Sequence, residues 1–218
     1  MTVRTVPDDA TGRASAVAVL RAGGIVALPT DTVYGIAVAL DTPGGIERLF
    51  EVKRRTPGKG IALLLADAGQ ASSIGVMTRA ADALAAACWP GALTIVVARR
   101  PDVALPAALT GGLATIGLRV PDHAAPRALA REAGPLPTTS ANVSGLPEAT
   151  DAAGIVAQLG DGVDLILDGG TAAGGPASTV VDCAGRTPVV LRSGAITVER
   201  LNAVLVAAGL PGDLEVAR

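Results

Sequence analysis

The sequence predicts a single α/β domain, and three observations predict it. Short apolar runs of strand length alternate with segments of helical period along the whole chain. Half of the 218 residues are hydrophobic and 17% are charged, which suits a packed core and excludes a disordered chain. Near the C-terminus two β-branched runs, 179–182 and 189–192, follow one another closely and add an antiparallel portion. No repeat, low-complexity linker or break in composition divides the chain.

Taken in order, residues 11–22 read as a helix that ends at Gly23-Gly24, where glycine supplies a left-handed cap. IVAL at 25–28 is a short buried strand. The spacing predicts a helix over 43–54, with Pro43 at its first turn and Ile46, Leu49, Phe50 and Lys53 on one side. IALLL at 61–65 is strand-like, and an Ala-rich helix over about 78–88 runs into the turn Trp89-Pro90-Gly91. Strands follow at 94–98 and 115–120, then a helix near 123–133 and a short strand before Thr138. A helix over 151–159 precedes VDLILD at 163–168, and the antiparallel pair leads into a last helix over 197–208. Only Tyr34, Phe50 and Trp89 are aromatic, so the core is built of Ala, Val, Leu and Ile.

Several functions are excluded. The net charge of −2 provides no global basic field for nucleic acid or anionic lipid. Cys88 and Cys183 lie far apart and His123 is the sole histidine, which excludes a zinc-finger site and argues against a disulfide scaffold. The N-terminal residues lack the apolar stretch of a signal peptide, and no apolar run reaches the roughly 18 residues of a membrane span, so a cytoplasmic protein is expected. There is no GxxxxGK[ST], and GGTAAGG at 169–175 has the wrong spacing for a dinucleotide fingerprint and reads as a loop. No GxSxG occurs; His123 after Pro121-Asp122 reads as a helix-start residue, and Cys183 as an inert buried thiol.

Three segments carry candidate chemistry. Against 16 arginines the chain has two lysines, Lys53 and Lys59, both in EVKRRTPGKG at 51–60 beside Arg54 and Arg55. A compact ammonium next to forked guanidinium groups suits a polyphosphate, and a solvated helix end suits the same pattern. PTDTVYG at 29–35 and PTTSANVSG at 137–145 gather hydroxyls and amides after strands, where open α/β sheets bind ligands and where plain turns also use such residues.

PTDTVYG, KxR at 53–55, WPGALT at 89–94, TIGLRVP at 115–121, TSAN at 139–142, STVVD at 178–182 and LRSG at 191–194 stand in the order of the YrdC-type domain. The chain resembles the L-threonylcarbamoyladenylate synthases of that family over about residues 12–200, in their short, single-domain form. The resemblance implies a twisted, mostly open mixed sheet with flanking helices around a positively charged cavity. It implies a reaction in which L-threonine, bicarbonate and ATP give threonylcarbamoyl-AMP and pyrophosphate for tRNA modification. It places Lys53, Arg55, Thr115, Ser140, Asn142 and Arg192 on ATP, with Lys53 and Arg55 in the catalytic role. It places Thr32, Tyr34, Arg119, Thr139, Ser178 and Thr179 on threonine. Magnesium is expected with the ATP, held mostly by phosphate and water, and no protein metal site. Threonylcarbamoyl-transfer proteins are the expected downstream partners, with no stable nucleic-acid or membrane binding. The sequence departs from the family pattern at Thr56 and Gly60, where prolines are common, and lacks a histidine often found in the strand IALLLAD. An RNA-binding module and a carbamoyltransferase-related domain are the alternatives.

Overall fold

The computed structural model describes residues 3–217 except 57, 59 and 173. Its strands are β1 (Arg4–Pro7), β2 (Val26–Leu28), β3 (Gly35–Ala37), β4 (Ala62–Leu64), β5 (Gly75–Val76), β6 (Leu93–Arg99), β7 (Thr115–Arg119), β8 (Leu136–Ser140), β9 (Leu165–Asp168), β10 (Thr179–Asp182), β11 (Val189–Arg192) and β12 (Glu215–Val216). The helices are α1 (Ala10–Arg21), α2 (Gly45–Val52), α3 (Ala68–Ile74), α4 (Arg79–Cys88), α5 (Ala107–Thr110), α6 (Ala124–Ala133), α7 (Ala152–Leu159) and α8 (Val198–Ala207). The strands form one open mixed sheet in the order β1-β9-β2-β3-β8-β4-β7-β6-β10-β11-β12, with β5 on β6. The antiparallel pairing of β10 with β11 is as the sequence predicts. Among the described residues no helix is long and apolar enough to cross a membrane.

The helix starts follow local chemistry. Asp9, Asp67, Thr78, Asp151 and Thr197 each accept a backbone N–H of the first turn, and His123 Nδ1 does so from Ala125 at 3.2 Å. Burial on the sheet alternates with period two. Val26 and Leu28 pack with Leu165 and Leu167 against Ala16 and Leu20 of α1 and Leu129 of α6. Ile25, Ala27 and Ile166 enter the larger core on the other face, with Leu49, Leu84, Ile155 and Leu201. Because both faces are covered there, these strands read as continuous apolar runs.

The same parity builds the cavity. On β6, β7 and β10 the residues Ile95, Val97, Ile116, Leu118 and Val181 enter the larger core. The intervening Thr94, Val96, Thr115, Gly117, Arg119, Val180 and Asp182 line a cavity of about 1000 Å3. Small or polar residues on this stretch leave a trough where a core would otherwise close. At Gly117 an added Cβ would meet Thr94 Cγ2 at 3.3 Å and Ala62 Cβ at 3.6 Å, so alanine there is tight and would fill the floor.

Candidate functional site

Strand register gives the cavity two ends. Ala62 pairs with Thr138 and Leu63 with Leu118, so Ser140 and Thr115 lie towards one end, while Arg119 lies at the other. The four steps of strand from Thr115 to Arg119 span about 13 Å.

The first end is made by the C-terminus of α2. Arg54 adopts φ 51°, its N–H reaches Glu51 O at 2.9 Å, and the N–H of Arg55 reaches Phe50 O at 2.8 Å. This is a Schellman ending with arginine where glycine is usual, at about 1 kcal/mol of backbone strain. The side-chain contact that normally completes it joins the same two residues, with the Arg55 guanidinium 5.3 Å over the Phe50 ring. Lys53, the cap itself, is turned inward and only 3% exposed. Its ammonium donates to Ser140 O at 2.6 Å and to Asn142 O and Oδ1 at 2.8 Å each. Ser140 Oγ donates to Asn142 Oδ1 at 2.6 Å, and the Asn142 amide donates to Val143 O and Leu146 O. Burial, with help from neighbouring Arg55, lowers the Lys53 pKa to about 8, while Glu148 opposes that shift.

Lys53 thus lines the cavity with its ammonium already engaged. All three ammonium protons already have acceptors, so Lys53 is the knot that holds the 140–142 turn in the cavity wall. Arg55 is half-buried, donates to Gly60 O at 3.3 Å, and lines the same wall. Lys59 lies outside the described residues. Thr138, Thr139 and Ser140 belong to β8 rather than to a turn after it, because Thr138 and Ser140 pair with Ala37 and Gly35 of the unforeseen strand β3.

The other end is organised by Arg119, 7% exposed. Its Nη2 meets Asp31 Oδ1 at 2.6 Å, its Nε donates to Gly91 O at 3.1 Å, and Thr32 Oγ1 lies 3.4 Å from both Nη1 and Nη2. Thr32 is fixed by Thr30, whose hydroxyl lies 3.1 Å from its own and donates to Val33 O at 2.6 Å. Burial and the charge of Arg192 lower the Arg119 pKa, against the pull of Asp31. Arg192 donates to Ser178 O at 2.8 Å and Ser178 Oγ at 3.0 Å, and Ser178 Oγ is 2.9 Å from Thr94 Oγ1. Val180 pairs with Thr94 on one side and Arg192 on the other, so Arg192, which the resemblance assigns to ATP, is seated towards the Arg119 end and away from Lys53 and Arg55.

Ten of the twelve candidate residues, Thr32, Lys53, Arg55, Thr115, Arg119, Thr139, Ser140, Asn142, Ser178 and Arg192, line this cavity with their polar groups in the two clusters or between them. Two are corrected. Thr179 is fully buried and outside the cavity; its hydroxyl donates to Ile196 O at 2.6 Å and ties β10 to the 193–197 segment. Tyr34 contributes to the wall, but its hydroxyl donates to Gly170 O at 2.7 Å and accepts from Gly169 N at 3.0 Å. That phenol, raised above its ordinary pKa by burial, clasps the glycine-rich loop instead of facing a ligand. Sequence reasoning missed Thr94, Asp31, Glu148 and Asp182. Asp31 sits inside PTDTVYG, and its signal is that Arg119, in an apolar strand, needs a counter-ion.

Comparison with known proteins gives these two ends a context. The profile of the Sua5/YciO/YrdC family, described by the phrase telomere recombination, matches residues 18–194. A Mycobacterium leprae protein provisionally named threonylcarbamoyl-AMP synthase is 39% identical over 201 residues, covering 91% of this chain and 90% of its own. The Bacillus subtilis threonylcarbamoyl-AMP synthase is 39% identical over 88% of this chain, which spans 56% of that protein. The crystal structure of Pyrococcus abyssi Sua5 with L-threonine superposes with a TM-score of 0.88 at 30% identity, over 100% of this chain and 63% of Sua5. The cavity of this mixed sheet is therefore that of a member of the Sua5/YciO/YrdC family, to which the chain belongs.

Proposed function

We propose that the chain is an L-threonylcarbamoyladenylate synthase, converting L-threonine, bicarbonate and ATP into threonylcarbamoyl-AMP, pyrophosphate and water. The observation that carries this reading is a single cavity with cations at both ends, Lys53 and Arg55 at one and Arg119 and Arg192 at the other. One cationic end suits a polyphosphate and the other an amino-acid carboxylate. The names of the relatives and the threonine in Pyrococcus Sua5 support the same assignment. The chemistry needs no protein nucleophile. Bicarbonate and the threonine amine lose water to form a carbamate, whose oxygen attacks the α-phosphorus and displaces pyrophosphate. Catalysis then comes from alignment and from cations opposing phosphate charge. The unused groups agree: Cys183 is buried with its thiol pushed up to about 12, and His123 caps α6. Magnesium would arrive on the polyphosphate, held mostly by phosphate oxygens and water. Glu148 and Asp182 are the carboxylates of the cavity wall that could meet its water shell.

Pyrophosphate release should require threonine and bicarbonate together, and mass spectrometry of the mixture should find threonylcarbamoyl-AMP. The rate should not change when tRNA is added, because the product is handed on to separate transfer proteins. Equal release with ATP alone would identify an ATPase and overturn the reading.

The depressed pKa of Lys53 gives a pH test. As pH rises through about 8 the ammonium loses a proton, and with it one of the three bonds that hold Ser140 and Asn142. The expected result is a fall in kcat/KM for ATP with an apparent pKa near 8. Stability moves the other way. Between that value and the unperturbed one the unfolded chain binds the proton more readily than the folded one, so the contribution of Lys53 to stability rises with pH. Activity lost above pH 8 in step with a falling melting temperature would count against this assignment.

A further inference from the structure

We infer that Asp31 is a positioning residue for the amino-acid substrate, acting through Arg119; this rests on the function proposed above. The argument starts from the donors of the guanidinium. Arginine has five N–H groups in a fixed plane, and a carboxylate is gripped by a pair of them that point the same way. In Arg119 one edge is occupied: Nε donates to Gly91 O at 3.1 Å and Nη2 to Asp31 Oδ1 at 2.6 Å. The remaining end, Nη1 with Nη2, faces Thr32, whose hydroxyl oxygen lies 3.4 Å from each nitrogen. Thr32 lines the cavity, whereas Asp31 does not. Asp31 therefore stands behind the guanidinium and aims its open end at the cavity, next to a hydroxyl able to join in holding a carboxylate.

The second anchor, Gly91 O, is a fixed backbone atom: the N–H of Gly91 is bonded to Val120 O at 2.8 Å, one residue beyond Arg119. One carbonyl leaves the guanidinium free to pivot about that bond; two acceptors on the same edge fix its plane. The pair is also well enclosed, with side-chain exposures of 8% for Arg119 and 13% for Asp31, so solvent competes little for either bond. Asp31 itself is carried by the loop between β2 and β3, whose conformation is set by the Thr30 hydroxyl bonds and by the Tyr34 clasp. The orientation of the carboxylate grip thus depends on a residue that touches no substrate.

Geometry and charge are separable by two variants. Asp31→Asn keeps an acceptor oxygen for Nη2 and removes the charge; Asp31→Ala removes both. Steady-state kinetics of the full chain with threonine and ATP each varied, alongside melting temperatures, are the test. Asp31→Ala is expected to raise the threonine KM by about tenfold or more, with the ATP KM within about twofold of the parent. Asp31→Asn is expected to restore most of the threonine KM, whatever its effect on melting. Should Asp31→Ala fail to fold, the asparagine variant carries the test, with its threonine KM expected within about threefold of the parent. An unchanged threonine KM in the alanine variant, an equal rise in both variants, or a parallel rise in the ATP KM would overturn the inference. If the parent protein itself releases no pyrophosphate in response to threonine, the proposed function fails instead.

Discussion

Lys53→Ala should lower both activity and stability, and by more than any other single change at the phosphate end. Removing the ammonium takes the donor from Ser140 O, Asn142 O and Asn142 Oδ1 at once. Buried acceptors stripped of their partner cost about 1–3 kcal/mol each, less whatever water can re-enter from the cavity. A net loss of about 3 kcal/mol corresponds to a melting temperature lower by roughly 6–12 °C in a chain of this size. The turn that carries Ser140 and Asn142 would no longer be held against the cavity, so kcat/KM for ATP is expected to fall about a hundredfold or more. Arg55→Ala is the contrast, since it leaves the bonds of Lys53 to Ser140 and Asn142 in place: similar loss of ATP use with a smaller fall in melting temperature. Equal melting temperatures for the parent and Lys53→Ala would show that the turn holds itself and that the buried ammonium is dispensable to it.

At the opposite end the largest effect is expected from Arg119. Arg119→Lys keeps the charge and can still meet Asp31, but it loses the planar fork and the bond to Gly91 O. The threonine KM should rise by about tenfold or more while the ATP KM stays near the parent value. Arg119→Ala should be worse on two counts, because it also leaves the Asp31 carboxylate enclosed without its partner, a loss of about 3–5 kcal/mol. Comparing the two in kinetics and thermal denaturation separates recognition from stability. A fall in ATP affinity with a normal threonine response would assign Arg119 to the phosphate side.

Much of this site was legible in the sequence, for identifiable reasons. Runs with a clean period, such as 115–119 and 179–182, are buried on one side and declare themselves. β1 was missed because RTVP is an exposed edge with no apolar alternation, and β3 because GIA is three residues long and opens with glycine. Missing β3 had a consequence: without it, Thr138–Ser140 looked like a turn after a strand, when β3 and β4 hold it as a central strand. The types of the site residues were visible, but the direction of their polar groups was not. Lys53, Tyr34 and Thr179 all belong to recognisable motifs, yet tertiary contacts 17 to 136 residues away absorb their polar atoms. Asp31 was hidden for the converse reason, since its role lies in a partner 88 residues along the chain.

The alternation of cavity and core along β6, β7 and β10 also constrains how such a chain can diverge. Gaining or losing one residue within β7 would exchange Arg119 for Leu118, turning a charge into the larger core and a leucine into the trough. Change of ligand preference that keeps this floor therefore arrives in β7 by substitution at fixed length. Insertions and deletions are admissible in the connections between elements, such as 143–150, where added chain alters the rim carrying Ser144, Gly145 and Glu148 and leaves the floor in phase.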